Sequence, residues 1–534
     1  MKNQFLKGTF YLTAATFISK ILGFIYIMPF VLIVGDSGYA LYKYAYGPYT
    51  LMLSVATLGL PLAVSKYVAK YNSLGDYQAG RDLLRNGLKI MVGMGILSFT
   101  ILFLFAPHLA SLVIKEGDVS GNSHEDVVYV IRLVSIALLI IPPMSMMRGF
   151  FQGNQQMGPS ALSTVLEQIV RIFFILAGSF TILYLLNGTA TQAVGISTMG
   201  AFAGGLASLC LLLWIFFKRK ERFPQPQDTH LTHSKIKWVP MLKELTSYAI
   251  PFVLVGLAIP VYQNIDTFTI NGLLTSVGYT LQEAEQVNAI IGLAQILVLV
   301  PVSLATAFSI SLIPNITASF NRGDLEDVIK KIKQTFILLM FVLLPAVVGM
   351  TLLSEPIYTS IFGMNNNPEL GGRILAWYAP MGILFSLFAV SAAVLQGINK
   401  QKHAIMGLGL GILVKLILNT LLITSLHELG PILATYAGYL VSVSYLFVVI
   451  YKNVHIPVSK LLKPLIPIGM MVVLMTIIVM IFEATTRFLF SNVMGEYPLS
   501  FLVTGVSVLA GALFYLLASG KTGLIRLIVR RNES

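Results

Sequence analysis

Charge is what this sequence has least of. Asp, Glu, Lys and Arg together make up 11% of its 534 residues, against 56% hydrophobic residues. The mean hydropathy is +0.80. A soluble chain of this length needs far more polar surface, so a water-soluble globular protein is excluded. Cysteine is nearly absent as well. The single one, Cys210 in "SLCLLLW", excludes a disulfide framework and any multi-cysteine metal or redox motif, and reads as a small packing residue. Catalytic signatures are missing too. There is no HExxH, CxxC or GxSxG motif. "SGKTG" at 519–523 has the GKT of a phosphate-binding loop, but Tyr515 stands where that loop needs its first glycine. The histidines are scattered. His230 and His233 lie three apart in a polar stretch with no further ligands beside them. The sequence therefore argues against an enzyme and calls for no cofactor or metal. Any work it does must draw on an ion gradient, the membrane potential or a downstream reaction.

What the sequence has is long apolar runs. Fourteen of them, of about 20 to 28 residues each, suit membrane crossing. The expected class is an all-α polytopic membrane protein with 14 transmembrane helices. The first run, 9–34, is too long for a signal-peptide core and reads as a retained helix. The net charge of +13 is explained by topology. With the N-terminus in the cytoplasm, only Lys43, Lys115, Arg373 and Arg487 fall on the outer side, and Lys20, Arg132, Arg171 and Lys415 fall within spans. Every other one of the 36 Lys and Arg residues lies on the cytoplasmic side. This positive-inside bias supports a multi-pass protein of the cell membrane with both termini cytoplasmic, and leaves no basic charge that nucleic acid would explain.

The chain also echoes itself. "FFQGNQQ" (150–156) resembles "VLQGINK" (394–400), and the same offset carries Arg171 to Lys415. "SLGD" (73–76) resembles "NRGD" (321–324). Both pairs fall on the cytoplasmic side, as expected of a parallel repeat of six spans. The expected domains are a six-helix lobe at 1–217, a polar cytoplasmic linker at 218–243, a second six-helix lobe at 244–453, and two extra helices with a tail at 454–534. A duplicated bundle around a midplane site is a transporter plan.

The charges inside the apolar runs point to that site. In "LEQIVRI" (166–172), Glu167 and Arg171 are four residues apart and share a helix face. A charge within the bilayer costs at least ~2.5 kcal/mol, so such residues usually face a cavity and mark a substrate or ion path. Lys20, Arg171 and Lys415 each lie about eleven residues into their spans, roughly 16 Å deep at ~1.5 Å per residue. Arg132 lies just inside the fourth span, 127–147, and Arg148 at its inner end. For these two, snorkelling or local pairing weighs as much as a binding role. Asp266 lies toward the outer end of the seventh span, 246–273. Gln152, Asn264 and Asn419 add polar groups. Glu167 is expected to pair fully with only one cation, Arg171, which leaves a positive excess. Such a site suits an anionic head group, and arginine suits phosphate through its planar fork of donors.

Several stretches resemble one family. "ISKILGF", "ATLGLPLAVSKYVAKYNSLGD", "RGFFQGNQQMGPSALSTVLEQIVRI", "VPVSLATAFSISLIP" and "VLQGINKQKHA" are similar to the MurJ-type and polysaccharide-transporter branch of the MOP flippase superfamily, including its Gram-positive lipid II flippases and sporulation paralogues. The resemblance implies two six-helix lobes in a V with two C-terminal helices beside them. It implies a cationic cavity for the diphosphate and sugar of a polyprenyl lipid, and a groove for the lipid tail formed with the last two helices. Lys20 stands where family members commonly carry arginine, so the charge is kept without the bidentate fork. Some relatives bind sodium between spans 7, 11 and 12. Asp266 is the carboxylate available for ion coupling here, and Lys415 could replace the cation. The function expected from the resemblance is alternating-access flipping of a polyprenyl-diphosphate-linked saccharide, lipid II first. Lys20, Arg171 and Arg148 would attract the diphosphate and Glu167 would hold Arg171. Membrane lipid and cell-wall synthesis proteins are the expected partners. The alternatives are export of another lipid-linked polysaccharide or teichoic-acid unit, a multidrug or cation exporter of the same superfamily, and a non-transporting partner in cell-wall or spore-coat assembly.

Overall fold

The computed structural model describes residues 15, 18–19, 21–57, 59–73, 76–114, 121–218, 250, 253–456, 461 and 463–521. Every regular element among them is helical. A backbone in lipid has no water to bond, and a helix satisfies its own N–H and C=O groups. Eleven of the described helical stretches are long and apolar enough to cross a membrane. This is a multi-pass membrane protein. One stretch, Gln401–Val454, runs 54 residues, about 80 Å at the helical rise and more than twice a ~30 Å hydrocarbon core. It is interrupted at His427, where φ is 52°.

The chain forms two compact units, Met1–Gly272 with Thr280–Glu285, and Leu273–Tyr279 with Gln286–Ser534. The first contains α1 (Ile27–Thr57), α2 (Leu60–Ser73), α3 (Tyr77–Val113), α4 (His124–Ser135), α5 (Ile141–Gly153), α6 (Met157–Phe180), α7 (Ala190–Thr198) and α8 (Gly200–Lys218). Most of α9 (Ala258–Ser276) and the first turn of α10 (Leu281–Asn321) also belong to it. Its core includes Phe30, Tyr44, Leu83, Ile131, Phe151 and Ile175. The second unit takes the rest of α10 and α11 (Leu325–Leu352), α12 (Ser354–Phe362), α13 (Pro368–Tyr378), α14 (Met381–Gly397), α15 (Gln401–Leu426), α16 (Gly430–Val454), α17 (Leu465–Phe490) and α18 (Glu496–Lys521). Phe385 and Phe388 set their rings against Tyr439 in its core, at 4.8 and 5.7 Å between centroids.

Two expected spans shift. Residues 35–44 are helix rather than a loop. Only Gly35, at φ 70° and ψ −178°, breaks α1. The segment after it buries Tyr39, Tyr42, Tyr44 and Tyr49, aromatic side chains whose packing holds it helical. The expected second span, 45–65, is divided after Thr57, where Gly59 takes φ 70°. Within the expected seventh span, 246–273, residues 253–256 are helical, a turn falls at Leu257, and the helix Ala258–Ser276 that follows is not among the eleven apolar stretches. Its Gln263, Asn264, Asp266 and Asn271 lower the hydropathy that the count of spans relied on. The linker after Lys218 lies outside the described residues.

The internal echo is written in the backbone. Gly153 ends α5 and Gly397 ends α14. Gln155 and Asn399 then take φ of 57° and 58°. The turn bonds match one for one: Gln155 N to Gln152 O with Asn399 N to Gln396 O, and Gln156 N to Phe151 O with Lys400 N to Leu395 O. The "GD" echo behaves alike. Asp76 caps α3 by accepting from Ala79 N, and Asp324 caps α11 by accepting from Asp327 N. Short carboxylates suit this position because they satisfy an orphan helix N–H.

The deep charges face protein, not lipid. On α6, Glu167 is 7% exposed while Phe173 is 70% exposed. On α15, Lys415 is 0% exposed while Ile417 is 72% exposed. The apolar residues that a soluble protein would hide are turned outward, as a lipid solvent requires.

Candidate functional site

The site grows from one face of α6. Ser160, Ser163, Glu167 and Arg171 recur at spacings of three and four, so they stack along one side of the helix. Opposite them, α5 brings Arg148. Its Nε donates to Ser163 Oγ at 2.8 Å, and its Nη2 donates to Glu167 Oε2 at 2.9 Å and to Ser208 Oγ at 3.0 Å. Ser160 Oγ donates to the Arg148 carbonyl at 3.1 Å. Arg171 Nη2 donates to Glu167 Oε1 at 2.5 Å. Glu167 thus holds both arginines, one with each oxygen. The expectation that it would pair only with Arg171 is corrected, because a carboxylate has two acceptor atoms and α5 delivers a second guanidinium to the free one. The arginine side chains are 17% and 16% exposed. Two guanidiniums on one carboxylate leave a net charge of +1 in a desolvated place.

The helix that closes this cluster is α8. Gly200, Gly204 and Ser208 lie four apart, the small-residue stripe that lets membrane helices approach closely. A Cβ at Gly204 would stand 2.5 Å from the Glu167 carbonyl and 3.1 Å from Arg171 Cβ. The same approach places Ser208 on Arg148. Gly204→Val is therefore expected to push α8 off α6 and cost about 1–3 kcal/mol, read as a lower thermal midpoint in detergent. An unchanged midpoint would show that the close approach is dispensable.

A row of tyrosines on α1 completes the surroundings. The rings of Tyr42 and Tyr46 stack at 4.7 Å, Tyr49 stands edge-on to Tyr46 at 5.2 Å, and the Tyr26 and Tyr42 hydroxyls are 3.2 Å apart. Arg171 lies within electrostatic reach of Tyr42, Tyr46 and Tyr49. Ser19 Oγ donates to Thr164 O at 3.4 Å, which places Ser19 against α6. Lys20 itself lies outside the described residues.

The other expected site residues are dispersed. Arg132 is exposed on α4, its guanidinium 4.9 Å over the Phe103 ring, away from the Glu167 cluster. Gln152 is half-buried in the last turn of α5. Asn264 is buried on α9, where its amide donates to Pro260 O at 2.8 Å, and Gly47 on α1 makes room for its side chain. Asp266 is buried in the first unit. Lys415 and Asn419 are buried in the second, where Lys415 Nζ donates to Thr435 Oγ1 at 2.6 Å and to Pro431 O at 3.4 Å. Sequence reasoning missed Ser163 and Ser208 as partners of Arg148. The small-residue stripe 200–204–208 was the signal available for the second.

Residues 5–320 match the model of the polysaccharide biosynthesis protein family. The chain belongs to that family. It is 43% identical over 532 residues to a Bacillus subtilis (strain 168) protein named Lipid II flippase MurJ, covering 99% of this chain and 98% of the relative. It is 29% identical to Stage V sporulation protein B of the same organism, over 82% of each. Among solved structures, the inward closed conformation of a lipid II flippase MurJ aligns with a TM-score of 0.63 at 15% identity, covering 97% of this chain and 99% of that one. An inward-facing multidrug resistance MATE family transporter of the MOP superfamily aligns at 0.62 over 82% and 94%. The family member described here therefore has the fold that MurJ and MATE transporters share.

Proposed function

We propose that this protein is a transporter, not an enzyme, and that it moves lipid II, a polyprenyl-diphosphate-linked saccharide, from the inner to the outer leaflet. One observation carries the reading. The Arg148–Glu167–Arg171 cluster is a net cation held at membrane depth by a single carboxylate, in a chain alike over its full length to a lipid II flippase. A stable surplus of positive charge in a desolvated site favours an anionic ligand, and guanidinium N–H groups match phosphate oxygens. A cation exporter needs the opposite sign. Arg148 and Arg171 attract the diphosphate, with Lys20 as the third cation of the set. Glu167 orients both arginines. Lys415, Asn419, Asn264 and Gln152 are retained as polar positions along the path, and Asp266 as the ion-coupling carboxylate. Arg132 is the weakest member of that set, given its place over Phe103. The proposal carries with it fourteen crossings, both termini in the cytoplasm, and two six-helix lobes at 1–217 and 244–453 followed by two further helices. Cell-wall synthesis proteins are its proposed partners.

The test is lipid II exposure on the outer leaflet of cells depleted of their own flippase and supplied with this chain. Exposure restored to at least half the normal level is the expected result. A correctly inserted chain that restores none would move the assignment to another polyprenyl-linked saccharide, such as a teichoic-acid precursor.

A further inference from the structure

Two buried donors in the first unit have nothing to donate to. Tyr49 is 2% exposed, and its hydroxyl is enclosed without a hydrogen-bond partner. Arg171 Nε is in the same condition, although Nη2 of the same guanidinium holds Glu167. Buried polar groups are nearly always paired, so each exception asks for a cause. The groups around Arg148 and Tyr44 are satisfied. Ser160, Ser163 and Ser208 serve Arg148, and Tyr44 accepts from Asn271. The two orphans sit on different helices, α1 and α6, within electrostatic reach of each other. Glu167 holds Arg148 and Arg171 Nη2, and neither orphan bonds to it. A missing acceptor is the common requirement.

We propose that the Tyr49 hydroxyl and Arg171 Nε form a two-donor subsite for one oxygen of the substrate's diphosphate. This deepens the transport reading above and rests on it. A phosphate oxygen accepts several hydrogen bonds at once, and bonds to a charged acceptor are the strong ones. Tyr46, whose ring stands edge-on to Tyr49, stacks on Tyr42 and is only half-buried, is the neighbour whose rotation would open the way to the Tyr49 hydroxyl. The row of tyrosines then has a role that arginine alone does not fill. It supplies a neutral donor that adds specificity for the diphosphate without adding charge.

The experiment uses the full chain in detergent, with undecaprenyl diphosphate and inorganic pyrophosphate as probes. Tyr49→Phe is expected to weaken undecaprenyl diphosphate binding about tenfold, which is ~1.4 kcal/mol. The thermal midpoint without ligand should not fall, because the hydroxyl removed has no partner. Arg171→Lys keeps the charge but has no Nε and should weaken binding to a similar extent. In the Arg171→Lys background, Tyr49→Phe should cost less than about threefold, since neighbours that share one acceptor are coupled. A full tenfold loss there would overturn the shared oxygen. Tyr49→Phe binding as the native chain does, while Arg171→Ala does not bind, overturns the subsite and leaves the transport reading standing. A native chain that binds neither probe overturns both. Pyrophosphate should feel Tyr49→Phe as undecaprenyl diphosphate does. Pyrophosphate binding indifferent to the substitution would overturn the assignment to the diphosphate.

Discussion

Arg171→Ala is expected to reduce lipid II exposure to background in flippase-depleted cells, with the variant present in the membrane at native abundance. The argument is one of charge. In the native cluster two arginines share Glu167, and the surplus is +1. Removing Arg171 leaves Arg148 paired with Glu167 at 2.9 Å and supported by Ser163 and Ser208. No buried charge is orphaned, so folding survives. The surplus of the cluster is gone, and the attraction for a diphosphate falls with it. Losing one charged hydrogen-bonding partner in a desolvated site costs about 2–5 kcal/mol of binding, a factor of 30 or more. Arg171→Lys keeps the charge but not the fork and should retain partial exposure. Native exposure from Arg171→Ala would remove this residue from the substrate site and return it to helix packing.

The fold was largely legible because lipid simplifies it. Long apolar runs become helices when the backbone has no other partner. The repeat was legible because its echoes are turn residues with a fixed backbone duty: "QGN" and "QGI" close helices ahead of a left-handed residue, and the aspartates of "SLGD" and "NRGD" open them. Polarity thins the apolar signal in one stretch. The segment 258–276 carries Gln263, Asn264, Asp266 and Asn271, all buried or half-buried, and falls short of a membrane helix by hydropathy. The site was half legible. The spacing from Glu167 to Arg171 gives their pair directly. Arg148 and Arg132 both lie near span ends, and position alone could not separate them. Arg148 turns toward α6 and Arg132 toward Phe103, and that difference comes from how α3, α5, α6 and α8 pack. The serines on Arg148 look like ordinary small packing residues until the helices are in place. The tyrosine row was visible as "YALYKYAYGPY", but its orphaned hydroxyl was not.

Glu167→Ala should do the opposite of Arg171→Ala and destroy the protein before it destroys transport. It leaves two guanidiniums facing each other, both largely buried and neither paired with an acid. Breaking a buried pair from one side costs about 3–5 kcal/mol, and here one side chain answers for two pairs. The expected result is a strongly lowered thermal midpoint in detergent and little protein in the membrane. The discriminating partner is the double variant Arg148→Met with Glu167→Gln. It removes one cation, offers Arg171 a neutral acceptor, and fills the space of Arg148 with an unbranched apolar chain. That variant should recover about half of the lost midpoint, although each change alone is harmful, because the two sites share one network and are not additive. If Glu167→Ala is instead as stable as Arg171→Ala, then Glu167 is not the hub. The cations of this unit would then be held by the bilayer interface or by the N-terminal segment, and α8 would close over them for packing alone.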